Sequence, residues 1–187
     1  HIMAKHSLDN RSEGRIDALK RCVDDINAMY PRPDAVIHTG DMTQDGKPDE
    51  FLMARAILAE LRVPFYPTPG NRDGSHRMMK AFQNDHAMSE NGEFVLYAID
   101  DYPIRLIAMD SVAKEGNKGD FTPDKLNSLD ALLAQKPDYR TALFMHHPPF
   151  DVKTARDPYQ YNRQEAAEDL RKVVSRHPQL VALFCGH

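Results

Sequence analysis

Apolar residues along this chain recur in two alternating rhythms. In residues 13–29, Ile16, Leu19, Val23 and Ile26 return every three or four positions between charged residues, which predicts an amphipathic helix closed by Pro31 and Pro33. A short apolar run, residues 34–39, then reads as a buried strand and stops abruptly on Gly40-Asp41. Pro48 opens a second helix carried by Phe51, Leu52, Ala54, Ile57, Leu58 and Leu61. It leads into residues 63–68, kept extended by Pro64 and Pro67, and on to Pro69-Gly70-Asn71-Arg72-Asp73. Residues 76–85 predict a short helix, and residues 94–99 and 104–109 an antiparallel pair of strands. After the polar loop 114–120, Thr122 and Pro123 supply the N-cap and first-turn proline of a helix through Leu126, Leu129, Leu132 and Leu133. Strand 141–145 stops at His146-His147-Pro148-Pro149. Asn162, with Glu165 three residues on, reads as a capping box for a helix through Leu170 and Val174. A last apolar strand, 180–185, ends on Gly186-His187.

Helix and strand alternate, with one hairpin in the middle, and this order predicts a layered α/β fold with much parallel pairing. No repeat, low-complexity tract or linker divides the sequence, and 187 residues suit one domain. The chain opens on His1-Ile2-Met3 with no strand before it and closes directly after an apolar run. The expectation is therefore a single domain, residues 1–187, cut at both ends from a longer protein, although a tag remnant would also explain the first three residues.

In open α/β sheets, ligands bind beyond the carboxyl ends of the strands. Here four strands end on a candidate ligand: Asp41, Asn71, His146 or His147, and His187. One such ending is an ordinary turn, but four are hard to attribute to turns. An aspartate, an asparagine and two histidines form a mixed oxygen and nitrogen set suited to zinc, manganese, iron or cobalt, and too rich in nitrogen for calcium or magnesium. A carboxylate can bridge two cations, and paired metals activate water and clamp both oxygens of an in-line phosphoryl displacement. Phosphate-ester hydrolysis is the reaction this chemistry fits.

Composition narrows the partners. A formal charge of −4 offers no basic footprint for a nucleic-acid polymer or an anionic membrane, and no apolar run approaches a bilayer span. Cys22 and Cys185 have neither metal-site spacing nor a disulfide framework; they read as buried free thiols suited to a reducing cytoplasm.

The ordered motifs Gly40-Asp41, Gly70-Asn71-Arg72-Asp73, His146-His147-Pro148-Pro149 and Gly186-His187 resemble those of the calcineurin-like metallophosphoesterases. The similarity is greatest to the branch of bacterial cyclic-nucleotide and glycerophosphodiester phosphodiesterases. The resemblance spans the chain, with His1 standing where the family's first motif, Asp-x-His, has its histidine. It implies a four-layer αββα sandwich with two mixed central β-sheets, and a dinuclear centre of Mn, Fe or Zn. By the same resemblance, Asp41 bridges, Asn71, His146 and His187 hold the second metal, and His1 belongs to the first. The ligand position in the family's fourth motif favours His146 over His147, which is left to support the site, face the substrate or pack.

The implied reaction is attack of a metal-bound hydroxide on a small phosphodiester, of cyclic-nucleotide or glycerophosphodiester type. A phosphomonoesterase on the same centre and a non-catalytic scaffold retaining the fold are the alternatives. Two family residues are missing: the first motif's aspartate and the last motif's second histidine. Arg72 stands where many relatives have histidine; it is a poor general acid, but can bind a phosphoryl oxygen, unless it is only a surface ion pair. His76 is the candidate substitute acid, Asp73 an orienting carboxylate, His38 a satisfied core residue and Asp45 a turn cap. Tyr66, Phe150, Tyr159 and Tyr161 could stack on a base but read better as packing. His6, His86 and His177 have no motif context, and a homo-oligomer is left open.

Overall fold

The computed structural model describes residues 1–3, 11–83, 92–151, 153 and 160–187. Along them run α1 (Arg11–Ala28), β1 (Val36–His38), α2 (Pro48–Leu58), β2 (Phe65–Pro67), α3 (Ser75–Phe82), β3 (Leu96–Ile99), β4 (Arg105–Met109), α4 (Pro123–Ala134), β5 (Thr141–Phe144), α5 (Ala166–Val174) and β6 (Leu180–Phe184). Parallel strands β1 and β2 form one sheet, and the other has the order β3-β4-β5-β6. The second sheet is mixed: β3 and β4 are the antiparallel hairpin, while β4, β5 and β6 run parallel.

Strand alternation builds two cores, one on each face of this sheet. Tyr97, Ile99, Ala108 and Phe144 face one way, into a core closed by Phe51 and Ala54 of α2, Met78 and Phe82 of α3, and Ile37 and Phe65 of the first sheet. Ile107, Met109, Leu143 and Met145 face the other way, against Leu126, Leu129 and Leu133 of α4 and Leu170 and Val173 of α5. With α1 contributing Ile16 and Leu19 on the outer side, the layers run helix, sheet, sheet, helix, in the expected αββα order.

Local signals explain most boundaries. Thr122 is extended and its side chain accepts the Lys125 backbone N–H at 3.4 Å, with Pro123 next, so α4 starts where these residues predict. The capping box at Asn162 does not form: α5 begins at Ala166, its N-cap is Glu165, and no side chain caps it. Asn162 instead joins the 115–119 loop, donating from its side chain to the Glu115 carbonyl and from its backbone N–H to that of Gly119. Cys22 is a second correction. It is exposed, because it lies on the outer face of α1 beside buried Val23, while Cys185 is half-buried. Strand β1 is half-buried along its length rather than fully buried. His6, His86 and Tyr159 lie outside the described residues.

Candidate metal centre

The parallel register of β1 and β2 pairs His38 with Pro67, so the loops that follow the two strands leave side by side. They cross closely. Gly40 has φ +93, and a Cβ there would sit 2.6 Å from Gly70 N and 2.7 Å from His146 Nδ1. A Cβ on Gly70 would lie 2.2 Å from both the backbone nitrogen and Oδ1 of Asp41. Only glycine fits either position. The turn leaves Asp41 itself at φ 60, a strained left-handed conformation for an aspartate.

Asp73 fastens the crossing. Fully buried, its Oδ1 accepts the Thr43 backbone N–H at 2.7 Å and the Thr43 hydroxyl at 2.7 Å. Its Oδ2 accepts the N–H groups of Met42 at 3.1 Å and Gly70 at 3.0 Å. One carboxylate thus ties the loop carrying Asp41 to the loop carrying Asn71, with charge-assisted bonds stronger than neutral ones. Beyond it, buried Glu50 accepts the N–H groups of Asp45 and Lys47 and closes the 43–47 turn.

Strands β5 and β6 deliver the histidines. His146 is buried, and its Nδ1–H donates to the Thr39 carbonyl at 2.7 Å. A carbonyl can only accept, so the proton lies on Nδ1 and Nε2 keeps a lone pair. That nitrogen faces His187 Nδ1 at 3.0 Å, Asn71 Oδ1 at 3.1 Å and Asp41 Oδ1 at 3.5 Å. The other oxygen of Asp41 faces His1 Nε2 at 3.3 Å. All five residues singled out in the sequence, His1, Asp41, Asn71, His146 and His187, therefore meet at one place.

His147 is also close: His146, His147 and His187 each bring a ring nitrogen within 4.8 Å of the others. Its hydrogen bonds set it apart. The Ser111 hydroxyl donates to its Nδ1 at 3.0 Å while accepting its backbone N–H at 2.9 Å, and its Nε2–H donates to the Asn117 carbonyl at 3.3 Å. Burial, and then the nearness of His146 and His187, holds it neutral, with its pKa pushed down to about 3. Tyr161 donates to its carbonyl at 2.9 Å.

Arg72 is exposed. Its backbone N–H donates to Asp41 Oδ1 at 3.0 Å, its Nη1 to the Gln44 carbonyl at 3.4 Å, and its Nε lies 4.0 Å from Asp41 Oδ2. Its ion-pair partner is thus Asp41 and not Asp73. His76 is exposed in the first turn of α3 and lines, with Asn71, Ser75, Arg77 and Lys114, a cavity of about 820 Å³. Asp45 pairs with Lys47 at 2.9 Å on the surface. His38 is half-buried, accepts the Gly40 N–H at 3.2 Å on Nδ1, and packs on Phe65. Among the aromatics, Tyr66 pairs with Tyr102 and Tyr161 with Phe121. Phe150 departs from the packing expectation, being 58% exposed.

Sequence reasoning passed over Asp110. It too closes an apolar strand, β4, and the rule that picked out Asp41 would have picked it. It lines the same cavity, but pairs with buried Lys125 at 3.2 Å and accepts the Val112 N–H at 2.7 Å. Ser111, next to it, and the Thr39 carbonyl carried no sequence signal at all.

Fold, motif order and geometry together define the class. The chain belongs to the calcineurin-like phosphoesterases, a family of hydrolases whose description matches residues 1–187. Among its relatives, it is 35% identical over 187 residues to a probable glycerophosphodiester phosphodiesterase, GpdQ, of Arcobacter nitrofigilis, covering 100% of this chain and 68% of that protein. It is 36% identical over 167 residues to the glycerophosphodiester phosphodiesterase GpdQ of Enterobacter lignolyticus, covering 88% and 59%. Against the 3',5'-cyclic adenosine monophosphate phosphodiesterase CpdA of Pseudomonas aeruginosa the identity is 26% over 188 residues, covering 100% and 65%. The chain thus spans about 59–68% of the length of these relatives. A purple acid phosphatase, PPD1 of yellow lupin, shares the fold at a TM-score of 0.65 and 15% identity, covering 93% of this chain and 33% of that one. Among the described residues, no helix is long and apolar enough to cross a membrane.

Proposed function

We propose that this domain holds a dinuclear centre of Mn, Fe or Zn and hydrolyses small phosphodiesters of the glycerophosphodiester or cyclic-nucleotide kind. One observation carries the reading: the two oxygens of Asp41 face different partners, Oδ2 toward His1 and Oδ1 toward His146. A carboxylate so placed is suited to be shared between two cations. The residues fit metal ions chemically, since a carboxylate oxygen, an amide oxygen and a second imidazole nitrogen lie 3.0–3.5 Å from His146 Nε2. In this reading Asn71, His146 and His187 hold the second ion with Asp41, and His1 serves the first. His147, with both ring nitrogens engaged within the protein, braces the site. When bound, such a pair of ions supplies an activated water and neutralises phosphoryl charge.

The chain's own residues do the remaining work. Asn71 lines the cavity and its Oδ1 lies 3.1 Å from His146 Nε2, and it is assigned to orient the ester. Arg72, whose planar guanidinium matches phosphoryl oxygens, is assigned the phosphoryl oxygen turned toward solvent. His76, on the cavity wall, is assigned the proton that the leaving alkoxide takes up. The glycerophosphodiester and cyclic-nucleotide activities named for the relatives support this substrate class. Two free thiols fit a reducing cytoplasm.

The test is metal analysis of the full-length protein with turnover of bis-p-nitrophenyl phosphate, glycerophosphoethanolamine and cyclic AMP. The expectation is two transition-metal ions per chain and hydrolysis of at least one natural diester. Absence of bound metal, with no turnover after manganese is added, would end the proposal.

A further inference from the structure

The first-metal side of the centre has a feature that the family motifs do not include. His1 Nδ1 lies 3.3 Å from Gln44 Oε1, and Arg15 of α1 places its Nη1 2.8 Å from the same oxygen and 3.3 Å from the His1 carbonyl. A guanidinium only donates, so the Gln44 atom facing it is the amide oxygen. That oxygen can only accept from His1, so it favours a ring proton on Nδ1. Nε2 lies 3.3 Å from Asp41 Oδ2, and with the proton held on Nδ1 its lone pair would be free for a metal shared with that carboxylate. The backbone sets the distance: Ile2 N–H donates to the Met42 carbonyl and Gln44 N–H to the Ile2 carbonyl, both at 2.8 Å, so the segment carrying His1 is zipped beside the one carrying Gln44.

We propose that Arg15 and Gln44 are positioning residues that fix the tautomer and ring orientation of His1, so that Nε2 is presented to the first metal. The inference rests on the dinuclear reading above. Arg15 anchors the amide from the helix side, Gln44 holds the ring proton, and the ring can neither flip nor move its proton to Nε2 without breaking a hydrogen bond. The arrangement mirrors the other side of Asp41, where the Thr39 carbonyl holds the Nδ1 proton of His146. There the acceptor is main chain and cannot be substituted; at His1 it is a side chain and can be. Partners of this kind behind a ligating histidine are worth about 10- to 100-fold in metal affinity.

Two measurements on the full-length protein test this. In the first, long-range nitrogen–proton correlation spectra of the metal-free protein, recorded at alkaline pH, report which nitrogen of His1 carries the proton. The expectation is Nδ1 in the native protein, a shift toward Nε2 in Gln44→Ala, a smaller shift in the same direction in Arg15→Ala, and retention of Nδ1 in Gln44→Glu, which keeps an acceptor there. A proton already on Nε2 in the native protein, or a tautomer unmoved by both alanine variants, overturns the proposal. In the second, manganese titration followed by electron paramagnetic resonance should show one of two sites losing about 10- to 100-fold in affinity in Gln44→Ala while the other holds. Equal loss at both sites together with a lowered melting temperature of the metal-free protein would make Gln44 merely structural and also overturns the proposal. If the native protein binds no manganese, the dinuclear reading fails by itself, while the tautomer measurement still decides what Gln44 does to His1.

Discussion

Gly70→Ala is the substitution whose consequence is most directly fixed by the geometry. The added methyl would lie 2.2 Å from the backbone nitrogen and Oδ1 of Asp41 and 2.9 Å from its Cα, all well inside van der Waals contact. Two of these three atoms are backbone, so no rotamer change relieves the clash. The Asp41 loop must retreat by about 1 Å or more, against the four hydrogen bonds of Asp73 that hold it. Overpacking of this kind costs about 1–3 kcal/mol. In a domain of this size each kcal/mol lowers the melting temperature by about 2–4 °C, so a fall of roughly 2–12 °C is expected. Activity should suffer more, since a misplacement of about 1 Å at a reacting centre costs on the order of 10²-fold. Thermal denaturation in EDTA reads the first effect, and turnover of bis-p-nitrophenyl phosphate with manganese reads the second. Gly14→Ala is the control: nothing lies within 4 Å of its Cβ position in α1, and it should stabilise by about 0.5–1 kcal/mol. If Gly70→Ala kept turnover within about threefold and melted like the native protein, the loop crossing would not be what places Asp41.

Four further outcomes follow from the same geometry. Asp41→Ala should abolish turnover and leave at most one tightly held metal per chain; metal analysis finding two would remove the bridge. Arg72→Ala should lower kcat about 10- to 100-fold with metal content unchanged, as expected for one lost charge-assisted contact to a phosphoryl oxygen; unaltered kinetics would return Arg72 to the surface. Asp73→Ala leaves the buried N–H groups of Met42, Thr43 and Gly70 without their acceptor, and at about 1–3 kcal/mol each should destabilise by roughly 3–9 kcal/mol in urea denaturation. With iodoacetamide, exposed Cys22 should be alkylated first and Cys185, whose thiol pKa burial raises, more slowly; mass spectrometry showing the reverse order would contradict the placement of α1.

How much of this could be read from the sequence depends on what each residue contributes. Strands and helices were legible because the apolar periods of β3, β4 and β5 match two buried faces, and because Thr122-Pro123 makes a local start signal. Asn162 and Glu165 carry a signal of the same type that misled, since Asn162 finds better partners across the chain in the 115–119 loop. Local propensity is silent about such distant competition. The side chains at the strand ends were legible because they break an apolar run. What could not be read was anything supplied by main chain or by loop crossing: the Thr39 carbonyl behind His146, the contact of Gly40 with Gly70, and the amide of Gln44 behind His1. Asp110 shows the limit from the other side: it ends an apolar strand as Asp41 does, yet its carboxylate is buried against the Lys125 ammonium at 3.2 Å.

The two adjacent histidines make the same point about chemistry. His146 and His147 are both buried and both near His187, so neither burial nor distance separates them. The difference lies in how their nitrogens are used. His146 gives one to a carbonyl and turns the other, unprotonated, toward Asp41, Asn71 and His187; His147 gives one to a carbonyl and spends the other accepting from Ser111. A neutral imidazole has one donor and one acceptor, and His147 has used both within the protein. Freeing it for a metal would require the Ser111 hydroxyl to turn away, while its oxygen still accepts the His147 backbone N–H. Ser111→Ala therefore separates the roles. If His147 only braces the site, removing the hydroxyl should disturb the 111–117 loop and lower stability without adding metal capacity. If metal content or stoichiometry rose instead, His147 would be a ligand held in reserve, and the assignment of His146 as the sole fourth-motif ligand would fall.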